Sequence, residues 1–122
     1  MAGLALEQQI YAPLGRPLED FDALICPTFA VPALPAEYDP GQPVTVNGRA
    51  SMDWMDVMMT LPFNIASRCP VMSVPSGLSR DGLPTGLSIV GKTYDDVTVF
   101  RIAAAHEEQM PWMDMPRRRP EL

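Results

Sequence analysis

The sequence is poor in the side chains that most often do chemistry. Lys92 is its only lysine, His106 its only histidine, and Cys26 and Cys69 its only cysteines. Two cysteines outside any C-x-x-C pair make no disulfide framework. With a single histidine they also fall short of the roughly four nitrogen or sulfur ligands of a structural zinc site. No metal or other cofactor is expected. Basic charge is scarce as well: the formal net charge is -6. That excludes the electrostatic footprint of a nucleic-acid-binding protein. Arg117–Arg119, the one basic run, reads as a solvated tail. No apolar run is long enough to span a membrane. The stretch Met1–Ala5 has no basic n-region of a secretory leader, so cytoplasm is the default compartment.

Proline, by contrast, is abundant. Fourteen of 122 residues are proline, about twice average usage, which favours short elements and many chain reversals. The composition, 47% hydrophobic and 20% charged, is that of a globular protein. A chain of this length can bury roughly two-thirds of the surface it exposes when unfolded. The expected organisation is one domain over 1–110 and a tail over 111–122.

Leu4, Leu6, Ile10, Tyr11 and Leu14 recur near helical spacing and predict a helix over Leu4–Leu14, stopped by Gly15 and Pro17. Phe21–Cys26 is short and apolar, as in a buried parallel strand. A long loop is expected from Pro27 to Ala50. Ser51 is positioned to cap a helix over Met52–Thr60, whose methionines predict a core-filling face. Leu61–Ala66 redirects the chain. Val71–Val74 and Gly86–Val90 read as strands joined by a turn containing Asp81-Gly82, antiparallel to each other. Asp95 or Thr93 can cap a last helix with an apolar side formed by Val97, Phe100 and Ile102–Ala105.

The residues present offer little for catalysis. There is no G-x-S-x-G elbow, no G-x-G-x-x-G and no P-loop. Ser76 sits in a turn with nothing to mark it as activated. Asp95 and Asp96 are adjacent and cannot face each other across a helix. A Cys-His hydrolase would need His106 beside Cys26 or Cys69. Both cysteines border apolar strands, which favours their reading as small buried hydrophobes, and His106 is expected at the surface of the last helix.

Three stretches, in order, carry a resemblance. They are Asp22-Ala23-Leu24-Ile25-Cys26-Pro27-Thr28; Leu61-Pro62-Phe63-Asn64-Ile65-Ala66 through Val71-Met72-Ser73-Val74-Pro75-Ser76-Gly77; and Gly82-Leu83-Pro84-Thr85-Gly86 through Val90-Gly91-Lys92. Together they resemble the C-terminal region of the amidase-signature enzymes, over nearly all of residues 4–110. Ser67 and Arg68 stand where the family pattern has glycine and a small residue, and Ser88 where it has glutamine. The resemblance implies an α/β fold: a small mixed β-sheet with flanking helices, the C-terminal part of a larger α/β/α sandwich. It also implies hydrolysis or transfer of amide nitrogen by a Ser–cis-Ser–Lys triad lying upstream of this region, to which no stretch here corresponds. Thr28, Phe63 and Asn64 are the residues it places nearest the substrate pocket. The chain is therefore expected to be inactive alone, a C-terminal fragment or split subunit. Its expected partners are a triad-bearing N-terminal amidase portion or a second copy, since open sheet edges favour pairing; a small-molecule amide would be its ligand only when the enzyme is complete. The other reading is a non-catalytic structural or binding module derived from the same family.

Overall fold

Strand β5, Pro84–Gly91, is the centre of the molecule. In the computed structural model, which describes residues 2–66 and 68–112, it lies between β1 (Ala23–Pro27) and β4 (Val71–Leu78). It holds two of the most buried side chains among the described residues, Ile89 at 0% and Val90 at 1% exposure. Removing such a side chain from water contributes about 1.5–3 kcal/mol. Because successive strand residues point to opposite faces, Ile89 and Val90 build two separate cores. Ile89 meets Val99 and Ala103 of the last helix, α3 (Asp96–Gln109). Val90 meets Phe63 and Cys69, with Tyr11, Leu14, Leu24 and Cys26 packed around them. The result is helices on both faces of a small sheet, the α/β class expected.

Both pairings of β5 are antiparallel. The sheet is thus antiparallel throughout, among the described residues, where a mixed sheet with a buried parallel first strand was expected. The apolar run of β1 does not reflect burial on both faces: Ile25 is 54% exposed. The hairpin of β4 and β5 forms as expected and runs further, from Val71 to Leu78 and from Pro84 to Gly91. Its turn is closed by Ser79 N–H donating to the Leu83 carbonyl, with Gly82 at φ 78°, a left-handed position that glycine takes at little cost.

The first helix corrects its predicted end. α1 spans Ala2–Asp20 and runs through Pro13 and Pro17, although proline inside a helix costs about 3 kcal/mol. The two prolines are four residues apart, so both missing N–H groups lie on one side. Gln9, Pro13 and Pro17 are all exposed, and water can satisfy the freed carbonyls. The opposite side supplies what holds the helix on: Tyr11 and Leu14 pack on the Val90 core and Leu18 is buried.

The long loop contains a hairpin. β2 (Thr45–Val46) pairs with β3 (Arg49–Ala50) across Asn47-Gly48, both at positive φ. Asn-Gly favours that tight reversal. Ser51 closes this hairpin and is not a helix cap: Val44 N–H donates to its Oγ (2.9 Å) and Ser51 N–H to the Val44 carbonyl (2.8 Å). Asp53 takes the capping role, in a reciprocal box with Asp56, for a single 3-10 turn over Trp54–Val57. A five-residue helix follows, α2 (Leu61–Ile65). The methionines here do not fill the core. Met52, Met55 and Met59 are exposed, and Val57 is the buried residue. The predicted tail lies outside the described residues from 113 onward, as does Ser67.

Candidate functional site

A groove of about 310 Å³ opens where β1 ends and the β4–β5 hairpin begins to splay, bordered by Thr28, Phe29, Ser76, Pro84, Thr85 and Gly86 among others. Its shape follows from two local features. The register of β4 against β5 shifts between Pro75 and Gly77, a bulge with Gly77 at φ 128°; bulges re-aim side chains. Gly86 keeps the floor low, since a Cβ there would lie 3.2 Å from Thr28 Oγ1 and 3.6 Å from Ser73 Oγ.

The polar groups of the groove are neutral hydroxyls tied to their surroundings. Thr28 donates from both its N–H (3.3 Å) and its Oγ1 (3.2 Å) to the Gly86 carbonyl, and Ser76 Oγ and Thr85 Oγ1 share a hydrogen bond of 2.9 Å. A hydroxyl is no base, so Ser76 is not activated as a nucleophile by its partner. These groups can orient a polar ligand.

Burial pushes the thiols of Cys26 and Cys69 up, with Thr93 opposing the effect at Cys69, so the reactive thiolate is disfavoured at both. His106 is not a free surface residue: its Nε2–H donates to the Pro75 carbonyl at 2.7 Å. No group of three or more His, Cys, Asp or Glu side chains is placed to hold a metal ion among the described residues. No helix there is long and apolar enough to cross a membrane.

Of the three residues singled out by resemblance, Thr28 borders the groove. Phe63 is buried beside Cys69 and Val90, and Asn64 is exposed on α2. α2 is held near Thr28 through Met59, whose N–H donates to the Thr28 carbonyl (3.2 Å) two residues before the helix starts. Ser76, Thr85 and Gly86 complete the groove and were not singled out. They sit inside the Pro-Ser-Gly and Pro-Thr-Gly stretches that carried the resemblance, so the signal was present in the motifs themselves. A second hollow, about 200 Å³, is lined by Leu4, Glu7, Tyr11, Ala66, Arg68 and Thr93 among others, with Thr93 Oγ1 donating to the Tyr11 hydroxyl at 3.2 Å. None of the three lines it.

Comparison with known proteins agrees with this architecture. A family model described as Amidase matches residues 3–100, and the chain belongs to that family, in its C-terminal, amidase-signature region. It is 35% identical over 97 residues to the A subunit of glutamyl-tRNA(Gln) amidotransferase from Thermosynechococcus vestitus, a match covering 80% of this chain and 18% of that one. It is 40% identical over 95 residues to the corresponding protein of Granulibacter bethesdensis, covering 78% and 17%. Among solved structures, it resembles a bacterial aryl acylamidase of the amidase-signature family, with a TM-score of 0.77 and 31% identity over 96% of this chain and 24% of that one. It also resembles the A subunit of glutamyl-tRNA(Gln) amidotransferase from Thermotoga maritima, with a TM-score of 0.68, 32% identity, and 88% and 22% coverage. The chain thus spans less than a fifth of the length of the curated relatives it matches.

Proposed function

We propose that this chain is the C-terminal part of an amidase-type amide-bond hydrolase, a fragment or split subunit without turnover of its own. In this reading it forms one wall of the substrate pocket when joined to a triad-bearing amidase portion. Family membership, together with a groove whose polar lining is hydroxyls and backbone, carries the reading. Nucleophile and base act as a unit, and losing both removes most of the catalytic effect. The wall would position a small-molecule amide through Thr28, Ser76 and Thr85 while the attacking serine comes from the other portion; Phe63 and Asn64 would support that wall from α2.

The test is ammonia release from simple amides, with and without hydroxylamine as acceptor. The chain alone should give none, and the chain co-expressed with a triad-bearing amidase portion should give turnover. Turnover by the chain alone that disappears in Cys26→Ala or Cys69→Ala would make it a thiol hydrolase instead. No binding to any triad-bearing portion would leave it a non-catalytic module of the family.

A further inference from the structure

One residue of the sheet-facing stripe of α3 is not apolar. Val99, Ala103 and His106 follow one another at helical intervals, so all three lie on one side of the helix. Val99 and Ala103 pack with Ile89. His106, half-buried, instead gives its Nε2–H to the Pro75 carbonyl at 2.7 Å. A carbonyl oxygen only accepts, so the uncharged ring carries its proton on Nε2.

Pro75 is where β4 leaves the regular ladder. In an antiparallel pair, alternate residues turn their N–H and C=O toward the neighbour and then away from it. Gly91 N–H donates to the Pro70 carbonyl. Counting along the register from that bond puts Pro75 and Gly86 in a pair that faces without bonding. The Pro75 carbonyl therefore points away from β5, and the residue has no N–H. The register then skips Ser76: Pro75 lies opposite Gly86, and Gly77 opposite Thr85. With no residue of β5 opposite it, Ser76 is not oriented by strand register.

Peptide geometry supplies the orientation instead. The Pro75 carbonyl and the Ser76 N–H belong to one planar unit. A bond that holds the carbonyl oxygen also fixes the tilt of the plane from which Ser76 starts. On the far side, Gly77 at φ 128° occupies a backbone region open mainly to glycine, a joint about which that plane could turn. The Ser76 hydroxyl shares its hydrogen bond with Thr85 Oγ1 at 2.9 Å, and both residues border the groove.

We propose that His106 is a positioning residue of the groove, which it does not itself border: from α3 it fixes the Pro75–Ser76 peptide and so aims the Ser76–Thr85 hydroxyl pair. The consequence for a bound amide rests on the reading of the groove as one wall of a substrate pocket. The hold on the hydroxyl pair does not.

Three variants separate positioning from a general loosening of α3. His106→Leu keeps bulk and helix tendency and removes the donor. His106→Gln keeps a side-chain N–H donor. Ala103→Gly weakens the same helix and leaves the Pro75 bond in place. The measurement is NMR of the chain alone, through the side-chain couplings that report χ1 of Ser76 and Thr85. We expect one staggered rotamer at each in the wild-type chain. His106→Leu should average them, His106→Gln should restore them, and Ala103→Gly should leave them fixed. Fixed rotamers in His106→Leu overturn the proposal, as does equal averaging in His106→Gln or in Ala103→Gly. Imidazole nitrogen shifts of the unaltered chain test the bond without relying on any variant folding: the uncharged ring should be the Nε2–H tautomer, and the Nδ1–H tautomer overturns the proposal. With the chain co-expressed with a triad-bearing amidase portion, His106→Leu should raise KM for a simple amide about five-fold at unchanged kcat, the pattern of a lost hydrogen bond made equally to ground and transition states. Averaged hydroxyls with KM unchanged would overturn the pocket-wall reading while the positioning by His106 stands.

Discussion

His106 Nε2 lies 2.7 Å from the carbonyl oxygen of Pro75, joining the last turns of α3 to the middle of β4. The bond is partly buried and spans 31 residues of sequence. It ties the end of α3 to the sheet in addition to the packing of Val99 and Ala103. His106→Ala should lower unfolding free energy by about 1 kcal/mol, measured by urea denaturation, and should raise amide exchange in the last turn of α3 more than in its first.

Gly91 ends β5 against the start of α3. A Cβ there would stand 2.5 Å from Val99 Cγ2, 3.1 Å from Pro70 Cγ and 3.3 Å from the Asp95 carbonyl oxygen. Val99 is itself buried and has little room to give. Gly91→Ala should therefore destabilise by about 1–3 kcal/mol. A fall of that size in the thermal midpoint's free-energy equivalent, with the sheet retained by circular dichroism, is the expected result.

Ser88 presents the opposite case. Its side chain is 1% exposed and its Oγ has no hydrogen-bond partner among the described residues. A buried hydroxyl without a partner costs free energy that an alanine does not incur. Ser88→Ala should leave stability unchanged or raise it by up to about 1 kcal/mol, by the same denaturation measurement.

The α3 cap sets an acid response. The Asp95 carboxyl is held below its ordinary range by the Thr98 side chain and backbone N–H, against a smaller desolvation effect, with Lys92 and Arg101 adding to the lowering. A carboxyl with a depressed folded pKa contributes stability that is complete above its unfolded pKa and is lost as pH falls through the folded one. The loss should thus appear only on the acid side of the ordinary carboxylate range. Asp95→Asn should flatten that part of the stability–pH curve and leave the neutral region's slope unchanged.

The thiols should be slow. Cys69 is buried and Cys26 half-buried, and burial raises both thiols. At neutral pH, alkylation should be slower than for a free thiol at both positions. Cys69 should be the slower of the two, and both should react fully once the chain is unfolded in urea. Rapid labelling of folded Cys69 would contradict its placement beside Phe63 and Val90.

Where local chemistry and tertiary packing agree, the sequence was readable. The β4–β5 hairpin and the Asp95-capped α3 follow from alternation, turn residues and a capping side chain, and the structure has all of them. Asn47-Gly48 carried an equally direct signal for the small hairpin, hidden by the prolines around it. Other errors came from forces no local rule contains. α1 persists through two prolines because Leu14 and Leu18 are anchored elsewhere in the fold. β1 is apolar without being buried on both faces, and Met52, Met55 and Met59 are exposed because a 3-10 turn, not a full helix, turns Val57 inward. At the groove, Thr28 is a residue that the resemblance names and that borders the hollow. Ser76 and Thr85 are not named by it, because their place at the groove depends on a bulge whose effect appears only once β4 is paired with β5.

The two prolines of α1 bear on how the molecule opens as well as on how it folds. The carbonyls of Gln9 and Pro13 have no helical donor because residues 13 and 17 are prolines, and both face solvent. That flank of the helix lacks two of the bonds an uninterrupted helix would have. Native proteins open in contiguous units of unequal stability, and α1 is expected to be among the first, leaving the Val90 core before the sheet opens. Its amides would then exchange together through a small opening, ahead of those of β5. The hollow shared by Tyr11 and Thr93 would exist only during the time that α1 is seated.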